Sequence, residues 1–373
     1  MKLKSLSLYL ARLPLKFPIE HSLASNTNTD SLVIRLEDQS GLTGYGEGVP
    51  RPYVTGESRE SASAFITEKA AASLLGREFE PCDVWAWFAR NFAEQAIDAA
   101  PAAVCALETA LLDLAGRLWQ KSMSDFLGGR QRAQVTYGAV IPFAGRELHQ
   151  RLTEMIKAMG MSEVKLKVGR SDDLERLASL RKALGPEVSI RVDANACWTS
   201  QEALANIQAM RPFNVAAVEQ PVAAEDLAGL ASLRQAVEPL ILADESCCTP
   251  GQARALIDAG AVDGFNLRLS KCGGPARTLA LLELALANGL KAQMGCQVGE
   301  LGILSALGRH LACARSELIF LEGSLGKYYV QGDVIEEDIS FGPGGQAEAL
   351  PGWGLGVTAR EEALRPFHLV TLD

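Results

Sequence analysis

The chain has 373 residues, enough for a barrel of about 250 residues and a second, smaller domain. Its formal net charge is −9, and it has no clustered basic stretch of the kind that neutralises phosphates, which excludes a nucleic-acid partner. Because no apolar run approaches the roughly 18 residues that cross a bilayer, we expect no membrane span.

The N-terminus alternates apolar and polar residues, which predicts a first strand and not a signal peptide. The eight cysteines form no Cys-x-x-Cys pair and no zinc-like spacing with the four histidines, so we expect reduced thiols in a cytoplasmic protein. Five cysteines follow predicted strands. No histidine stands at a matching strand end to activate a nucleophilic thiol, so we interpret them as small wall residues: Cys197, Cys247, Cys248, Cys272 and Cys296.

Residues 1–128 have the pattern of a mixed α and β domain. A polar stretch over 20–29 and a turn near 38–41 separate three strand patterns, at about 2–12, 31–37 and 42–48. A loop follows at 50–57, Ser58 is a candidate N-cap, and helices are expected at about 84–97 and 101–118. The segment 125–129 breaks the helical pattern, and we place the domain boundary there.

Beyond Val135, short strand patterns alternate with helical segments. Their even spacing favours a closed parallel barrel over an open doubly wound sheet. One helix, before the first repeat, is missing or displaced, so we expect an incomplete barrel element. No Gly-x-Gly-x-x-Gly follows the first strand, which disfavours dinucleotide binding. The eight strand patterns end near Ile141, Lys167, Asp193, Glu219, Asp244, Asn266, Met294 and Glu322.

Charged residues recur where these strands end, at intervals of 25 to 28 residues, which is the period of one strand plus one helix. The carboxyl ends of parallel barrel strands meet at one rim, so this spacing predicts a single site. The charged residues are Lys165 with Lys167, then Asp193, Glu219, Asp244 and Lys271.

Three of these residues are acids whose mutual repulsion would be costly without a cation. Oxygen ligands without a Cys-His cluster indicate Mg²⁺, with Mn²⁺ as the alternative metal. A structural role remains open for each acid, as a cap of the next helix or a partner of a lysine. The proposed ligands are Asp193, Glu219 and Asp244.

Lys165 and Lys167 point to the same face of their strand, since a strand alternates with a period of two. Burial and mutual repulsion lower a lysine pKa toward the range useful for a general base. Lys271 comes four strands later and is therefore expected to face Lys167 across the barrel opening. Two bases on opposite sides of a bound carboxylate would permit racemisation or epimerisation, whereas one base and one acid would permit elimination or cycloisomerisation.

As a group, these motifs resemble the active-site set of the enolase superfamily, muconate-lactonizing-enzyme subgroup. The resemblance implies an N-terminal α+β capping domain (1–128, completed by 327–373) and a modified TIM barrel, (β/α)₇β, over 129–326. It implies that the three acids bind Mg²⁺. It also implies that Lys167 and Lys271 are the two bases and that Lys165 binds the substrate carboxylate. The mandelate-racemase subgroup fits less well, since a lysine follows the sixth strand and no His-Asp pair is evident. The motifs are Lys165-x-Lys167, Asp193-x-Asn195, Glu219-Gln-Pro, Asp244-Glu-Ser and Lys271-x-Gly-Gly.

The substrate is less well defined by the resemblance. Dipeptide epimerases of the subgroup carry Asp-x-Asp after the eighth strand, where this chain has only Glu322, which would hold a cationic nitrogen or be structural. Glu300 is interpreted as a cap of the following helix. Arg51 and Tyr53, with His21, lie on loops that reach over the barrel mouth in the family, and Arg51 would bind a distal carboxylate or be a surface arginine. The candidate substrate-binding residues are Asn195, Arg51, Tyr53, Cys296 and Glu322.

The resulting prediction is Mg²⁺-dependent removal of the proton α to a carboxylate by two lysines. We expect a racemase or epimerase of an amino-acid derivative or dipeptide, with a cycloisomerase or a dehydratase as alternatives. The expected partner is a small carboxylate, and the chain is expected to form a homo-oligomer. Two other functions are weighed. A Schiff-base aldolase would also use a barrel lysine, but it would not need acids at three neighbouring strand ends. A non-catalytic barrel would need neither the lysines nor the acids.

Overall fold

The protein is described by a computed structural model that covers residues 1–21, 24–80 and 83–373. Its N-terminal part is built on an antiparallel sheet in the order β15-β1-β4-β5. Leu6 and Leu8 of β1 and Leu32 and Ile34 of β4 are fully buried, and alternation along each strand places them on one face of the sheet. The first five strands are β1 (Leu3–Ala11), β2 (Pro14–His21), β3 (Ala24–Asn28), β4 (Ser31–Asp38) and β5 (Thr43–Gly48).

One long buried helix, α6, packs across this sheet. A side chain at Gly46 of β5 would place a Cβ 1.9 Å from the Ala106 carbonyl oxygen, so only glycine permits this approach. Ser58 caps α2 by accepting from the Ser61 N–H, as predicted. The helices are α1 (Pro52–Thr55), α2 (Arg59–Ala64), α3 (Ala71–Leu74), α4 (Asp83–Asn91), α5 (Glu94–Asp98), α6 (Pro101–Trp119) and α7 (Met123–Phe126), with a π-helical turn at Phe65–Ala70 between α2 and α3.

The polar stretch interpreted as a connection is instead part of a hairpin, β2 with β3. Leu15, Phe17 and Ile19 alternate along β2 with more polar positions, and Ile19 reaches the cavity at the barrel mouth. The alternation is the signal that could have revealed this strand, although Pro18 obscures it. The side chain of His21 lies outside the described residues.

The second part is the parallel barrel. Seven strands are hydrogen-bonded in sequence order, from β7 to β13. The segment 319–322 closes the ring, since the Glu322 N–H donates to the Met294 carbonyl and the Gly138 N–H donates to the Leu321 carbonyl, both at 2.8 Å. The strands, after β6 (Gln134–Thr136), are β7 (Ala139–Ile141), β8 (Glu163–Lys167), β9 (Ser189–Asp193), β10 (Val215–Glu219), β11 (Leu240–Ala243), β12 (Gly264–Leu267) and β13 (Lys291–Met294).

Seven longer helices alternate with these strands and surround the ring. In the described part of the chain the absent helix is the one after the closing segment, and not one before the first repeat. The predicted modified barrel with an α+β domain is therefore confirmed. The helices are α8 (Arg146–Ala158), α9 (Asp173–Leu184), α10 (Ser200–Ala209), α11 (Leu227–Ala236), α12 (Pro250–Asp258), the one-turn α13 (Leu269–Cys272), α14 (Pro275–Ala287) and α15 (Gly302–Ala314), with a 3₁₀ turn at Arg211–Phe213.

The end of the chain returns to the N-terminal sheet. Leu372 of the last strand lies opposite Leu6 of β1. Among the described residues, no helix combines the length and the apolar character needed to cross a membrane. The remaining elements are α16 (Gly326–Tyr329), β14 (Gln346–Glu348), which pairs with β6, α17 (Glu361–Leu364) and β15 (His368–Leu372), with 3₁₀ turns at Pro343–Gly345 and Arg365–Phe367.

Candidate active site

The predicted charged residues meet at the carboxyl-terminal rim of the barrel. Lys167 of β8 lies opposite Asp193 of β9, which in turn lies opposite Glu219 of β10. Asp244 follows the last residue of β11 directly. These four side chains are all less than a tenth exposed, so their charges must be matched by one another or by a ligand.

Glu219 is the most heavily bonded of the three acids. Its Oε1 accepts from Asn266 Nδ2 at 2.7 Å and its Oε2 from Gln293 Nε2 at 2.6 Å. Lys165 Nζ lies 3.2 Å from Oε1, and Arg268 Nη2 lies 3.4 Å from the same atom. Burial alone would raise the pKa of Glu219, but the charges of Lys165 and Arg268 hold it well below its usual range.

The other two acids respond differently. Burial, and then the charge of Glu219, raise the pKa of Asp193. Burial raises the pKa of Asp244 to about 7, even though Arg268 bonds one of its oxygens and Lys271 Nζ lies 2.8 Å from the other. A site that raises the pKa values of two carboxyl groups favours an added cation, which would stabilise their charged forms.

The donor set suits Mg²⁺, because three buried acid side chains from neighbouring strand ends supply hard oxygen ligands. Among the described residues, no three acidic, histidine or cysteine side chains converge closely enough to enclose a metal ion. Protein cations explain this arrangement. Lys165 and Arg268 stand between the carboxylates and bond them, and a metal ion would take over some of these bonds.

Lys165 bridges carboxylates on three strand positions. Its Nζ lies 2.8 Å from Glu322 Oε2 and 3.5 Å from Asp193 Oδ2, besides its contact with Glu219. Burial lowers the pKa of Lys165, but these three carboxylates outweigh burial and raise it overall. Lys165 is therefore a fixed cation, and not a base, in this arrangement.

Lys167 has a different environment, although it is only two residues away. Its Nζ donates to Asn195 Oδ1 at 2.5 Å, a neutral acceptor. Burial, with the nearby charges of Lys165 and Arg268, lowers the pKa of Lys167, as predicted from the sequence. Asn195 is itself held by a bond from its Nδ2 to Glu245 Oε1 at 3.1 Å and has a φ of 44°.

Lys271 does not face Lys167, and this expectation is wrong. Its side chain is fully buried, and its Nζ donates to two carbonyl oxygens, of Asp244 at 2.7 Å and of Asn266 at 2.8 Å, besides the Asp244 carboxylate. Burial lowers the pKa of Lys271, but the Asp244 charge outweighs it and raises the pKa. The residue belongs to α13, a one-turn helix that carries its amine behind the rim.

Arg268 occupies the position that the sequence analysis gave to Lys271. Its backbone is still extended (φ −115°, ψ 122°), so its side chain continues the inward face of Asn266. β12 is four strands from β8 in an eight-membered ring, which places Arg268 opposite Lys167. Both side chains line one cavity. The signal in the sequence is Asn266-x-Arg268, the same spacing as Lys165-x-Lys167.

The cavity above these residues has a volume of about 70 Å³ and is lined from both parts of the chain. Tyr53 and Cys296, two of the candidate substrate-binding residues, line it. Arg51 is neither a surface arginine nor a lining residue. It is 3% exposed, and its guanidinium donates to the backbone carbonyls of Pro50 and Val298, which ties the 50–57 loop to the loop after β13.

Glu322 also lines the cavity, but both of its oxygens are engaged. Oε2 lies 2.8 Å from Lys165 Nζ, and Oε1 lies 3.0 Å from Arg191 Nη1. Arg191 is 1% exposed and stacks on the Phe320 ring at 4.4 Å. This network gives Glu322 a role in holding Lys165. Both of its oxygens are already paired with protein cations, so neither is available to a substrate ammonium group.

Glu300 does not cap the helix that follows it, so that interpretation is wrong. Its Oε1 accepts from the Gln297 N–H within its own loop, and its side chain lines the cavity. Glu47 of β5 caps α15 instead, because its carboxylate accepts from the N–H groups of Leu301 and Leu304. Burial raises the pKa of Glu300 to about 8.

The cysteines near the rim fit the interpretation as wall residues. Burial raises the pKa of the Cys197 thiol to about 11 and that of Cys248 to about 12, and it also raises the pKa values of Cys247, Cys272 and Cys296. Protonated thiols are poor nucleophiles.

Fold and site together define a barrel enzyme of the metal-assisted proton-abstraction class. Residues 6–128 match the "Mandelate racemase / muconate lactonizing enzyme, N-terminal domain" model, and residues 147–363 match the "Enolase C-terminal domain-like" model. The chain belongs to the enolase superfamily, in the muconate-lactonizing-enzyme subgroup.

Named relatives cover most of the chain. A hydrophobic dipeptide epimerase of Enterococcus faecalis is 31% identical over 85% of this chain and 89% of its own. A chloromuconate cycloisomerase of Cupriavidus necator is 29% identical over 98% of this chain and 99% of its own. The crystal structure of a dipeptide epimerase from Cytophaga hutchinsonii, complexed with Mg and D-Ala-L-Val, has a TM-score of 0.90 at 26% identity and full coverage of both chains.

These relatives are isomerases, and the solved one contains Mg. The predictions of an enolase-superfamily isomerase and of Mg²⁺ as its metal are therefore confirmed. Both the racemase or epimerase prediction and its cycloisomerase alternative agree with these relatives. A small molecule as the partner is also confirmed.

Proposed function

We propose that this chain is a Mg²⁺-dependent isomerase in which Lys167 is the only amine that exchanges a proton with the carbon next to a substrate carboxylate. The observation that carries this proposal is the pairing across the cavity, an amine at Lys167 and a guanidinium at Arg268. A guanidinium stays protonated and has no acceptor, so Arg268 donates hydrogen bonds but does not remove a proton.

Asp193, Glu219 and Asp244 would hold the Mg²⁺. When bound, the metal would neutralise the negative charge that develops on the substrate carboxylate as the proton leaves. Lys165, held by Glu322, would donate to a carboxylate oxygen. Asn195 would position the Lys167 amine through their hydrogen bond, and Cys296 and Tyr53 would shape the wall.

One amine on one face supports a cycloisomerase-type reaction. In ring closure, a substrate oxygen bonds to the carbon β to the carboxylate, and the electron pair of the double bond moves to the α carbon. Lys167, in its ammonium form, delivers one proton to that carbon. Ring opening reverses each step, so the reaction needs no second base and no co-reactant.

A racemase or epimerase of an amino-acid derivative or dipeptide is the second candidate. The named epimerases among the relatives favour it. It would require a second proton-transfer group on the face that Arg268 covers.

The test uses pure enantiomers of N-acyl amino acids, dipeptides and proline derivatives, each incubated in D₂O with enzyme and Mg²⁺. We expect one enantiomer to lose its α proton by NMR, without forming the other. A parallel assay follows lactonisation of cis,cis-muconate. Conversion of both enantiomers into each other would contradict the single-amine proposal and favour the second candidate. Activity that persists in excess chelator would contradict the metal assignment.

Three further expectations stay part of this proposal. The first is a homo-oligomer, which light scattering would test, and the second is a cytoplasmic location, which cell fractionation would test. The third is the division into two domains, a capping domain formed by 1–128 together with 327–373 and a barrel domain formed by 129–326. The pairing of β15 with β1 supports this division, and limited proteolysis near residue 128 would test it.

A further inference from the structure

Three carboxylates line the cavity, and two of them are already paired. Asp193 lies 3.5 Å from Lys165 Nζ and accepts from the Asn195 N–H at 3.0 Å. Glu322 is held between Lys165 and Arg191. Within the described residues, Glu300 makes no ion pair, and its side chain has one hydrogen bond, from the backbone N–H of Gln297.

The loop that carries Glu300 is fixed in place. The Arg51 guanidinium donates to the Val298 carbonyl, and the Ser31 hydroxyl donates to the Gly299 carbonyl at 3.3 Å. Arg268 and Arg51 both contribute a nearby positive charge, but within the described residues neither forms an ion pair with Glu300. The carboxyl group is thus held at the wall of the cavity by its backbone, and within the described residues no protein cation is bound to it.

Burial without a cationic partner favours the neutral form of the Glu300 carboxyl group, and a ligand that supplies a cation would stabilise the charged form. We infer that Glu300 binds a protonated amine of the substrate, and that the substrate is a small carboxylate carrying such an amine. This inference rests on the proposed function only for the opposite end of the ligand, where Lys165, Lys167 and Arg268 would receive the carboxylate.

Charge and size agree with this ligand class. The cavity has cations at the barrel rim and, on the loop after β13, a carboxyl group without an ion pair that can become charged beside a bound ammonium group, which matches a zwitterion. Its volume of about 70 Å³ suits a small molecule and exceeds what a single water needs, roughly 10–15 Å³.

The test measures binding by calorimetry with Mg²⁺ present, using two matched ligand pairs. The first pair is proline and cyclopentanecarboxylate, in which a methylene group replaces the amine. The second pair is 4-aminobutyrate and pentanoate, in which a methyl group replaces the amine. We expect the wild-type protein to bind the amine-bearing member at least about tenfold more tightly in at least one pair. Glu300→Gln should remove this preference without weakening the neutral member.

Two variants control for folding and for general charge. Glu300→Asp keeps the charge on a shorter arm and should retain part of the preference. Glu187→Gln removes an exposed carboxylate outside the cavity and should change neither ligand. A wild-type protein without preference in either pair, or a preference that survives in Glu300→Gln, would overturn the inference.

The outcome is separable from that of the proposed function. Proton exchange in D₂O at one face, with no effect of Glu300→Gln on selectivity, would contradict this inference alone. A selectivity that depends on Glu300, together with exchange at both faces, would contradict the single-amine chemistry alone.

Discussion

The two sides of the barrel mouth, at the ends of β8 and β12, both carry lysines, and only those of β8 reach the cavity. On the β8 side, Lys165 and Lys167 follow the strand's alternation inward. On the β12 side, the same alternation brings Asn266 and Arg268 inward, and the next four residues form α13. Lys271 is consequently tied to backbone carbonyls behind the rim. The comparison teaches that a residue must continue the strand's alternation to enter the site.

The largest effect should come from removing the amine on the β8 side. Lys167→Ala should lower the rate of α-proton exchange or ring closure about 10²–10⁴-fold, the usual loss for one positioned acid–base group. NMR in D₂O or the lactonisation assay provides the measurement. Its thermal unfolding should remain close to wild type, because Lys167 bonds only a neutral amide. Full activity in this variant would end the role given to Lys167.

On the β12 side, Lys271→Met should act on stability. Loss of the buried amine removes the Lys271 bond to one Asp244 oxygen and to two carbonyls, at a cost of about 3–5 kcal/mol in the free energy of unfolding. Urea unfolding in the presence of chelator measures this loss. Lys167→Met is the matched control and should lose clearly less. Equal losses would show that the two lysines occupy similar environments.

The β12 side is also held by the N-terminal domain through Glu108 of α6, whose Oε2 accepts from the Ala276 N–H of α14 at 3.3 Å. Burial raises the pKa of Glu108 to about 8 from an ordinary value of 4.5. Between these two pH values the folded state therefore binds more protons than the unfolded state. The stabilisation of the fold by this carboxyl group is complete below pH 4.5 and is lost as pH rises through 8.

Glu108→Gln should remove that loss, because a neutral amide does not titrate. We expect the variant to gain on the order of a few kcal/mol in the free energy of unfolding relative to wild type between pH 5 and pH 9. Urea unfolding across this range measures the difference, with exposed Glu187→Gln as the control. Parallel pH profiles for wild type and Glu108→Gln would contradict the assignment.

The smallest expected effect is a gain of function. Arg268→Lys places an amine opposite Lys167, on a shorter side chain that loses the two-nitrogen contact of the guanidinium. We expect slow exchange of the second enantiomer to appear, at a rate well below that of the first. NMR with each pure enantiomer checks this. An unchanged pattern, with Mg²⁺ binding intact, would indicate that the Arg268 position does not face the α carbon.

The sequence by itself determined the barrel, because apolar strand patterns and helices recur with a fixed period. The same period determined that Lys165, Lys167, Asp193, Glu219 and Asp244 share one rim. These are local features, since the alternation of a strand and the length of one strand-helix unit are properties of consecutive residues.

Only the tertiary structure decided which of these groups are engaged. Lys271 and Arg268 are three residues apart, and the point at which β12 gives way to α13 decides which one enters the cavity. Glu322 is not available to a substrate ammonium group, because it pairs with Arg191, a residue 131 positions away. Glu47 of the other domain caps α15, which leaves Glu300 at the cavity wall. Ion pairs and caps between distant segments depend on how the strands and domains pack, and spacing along the chain does not encode that packing.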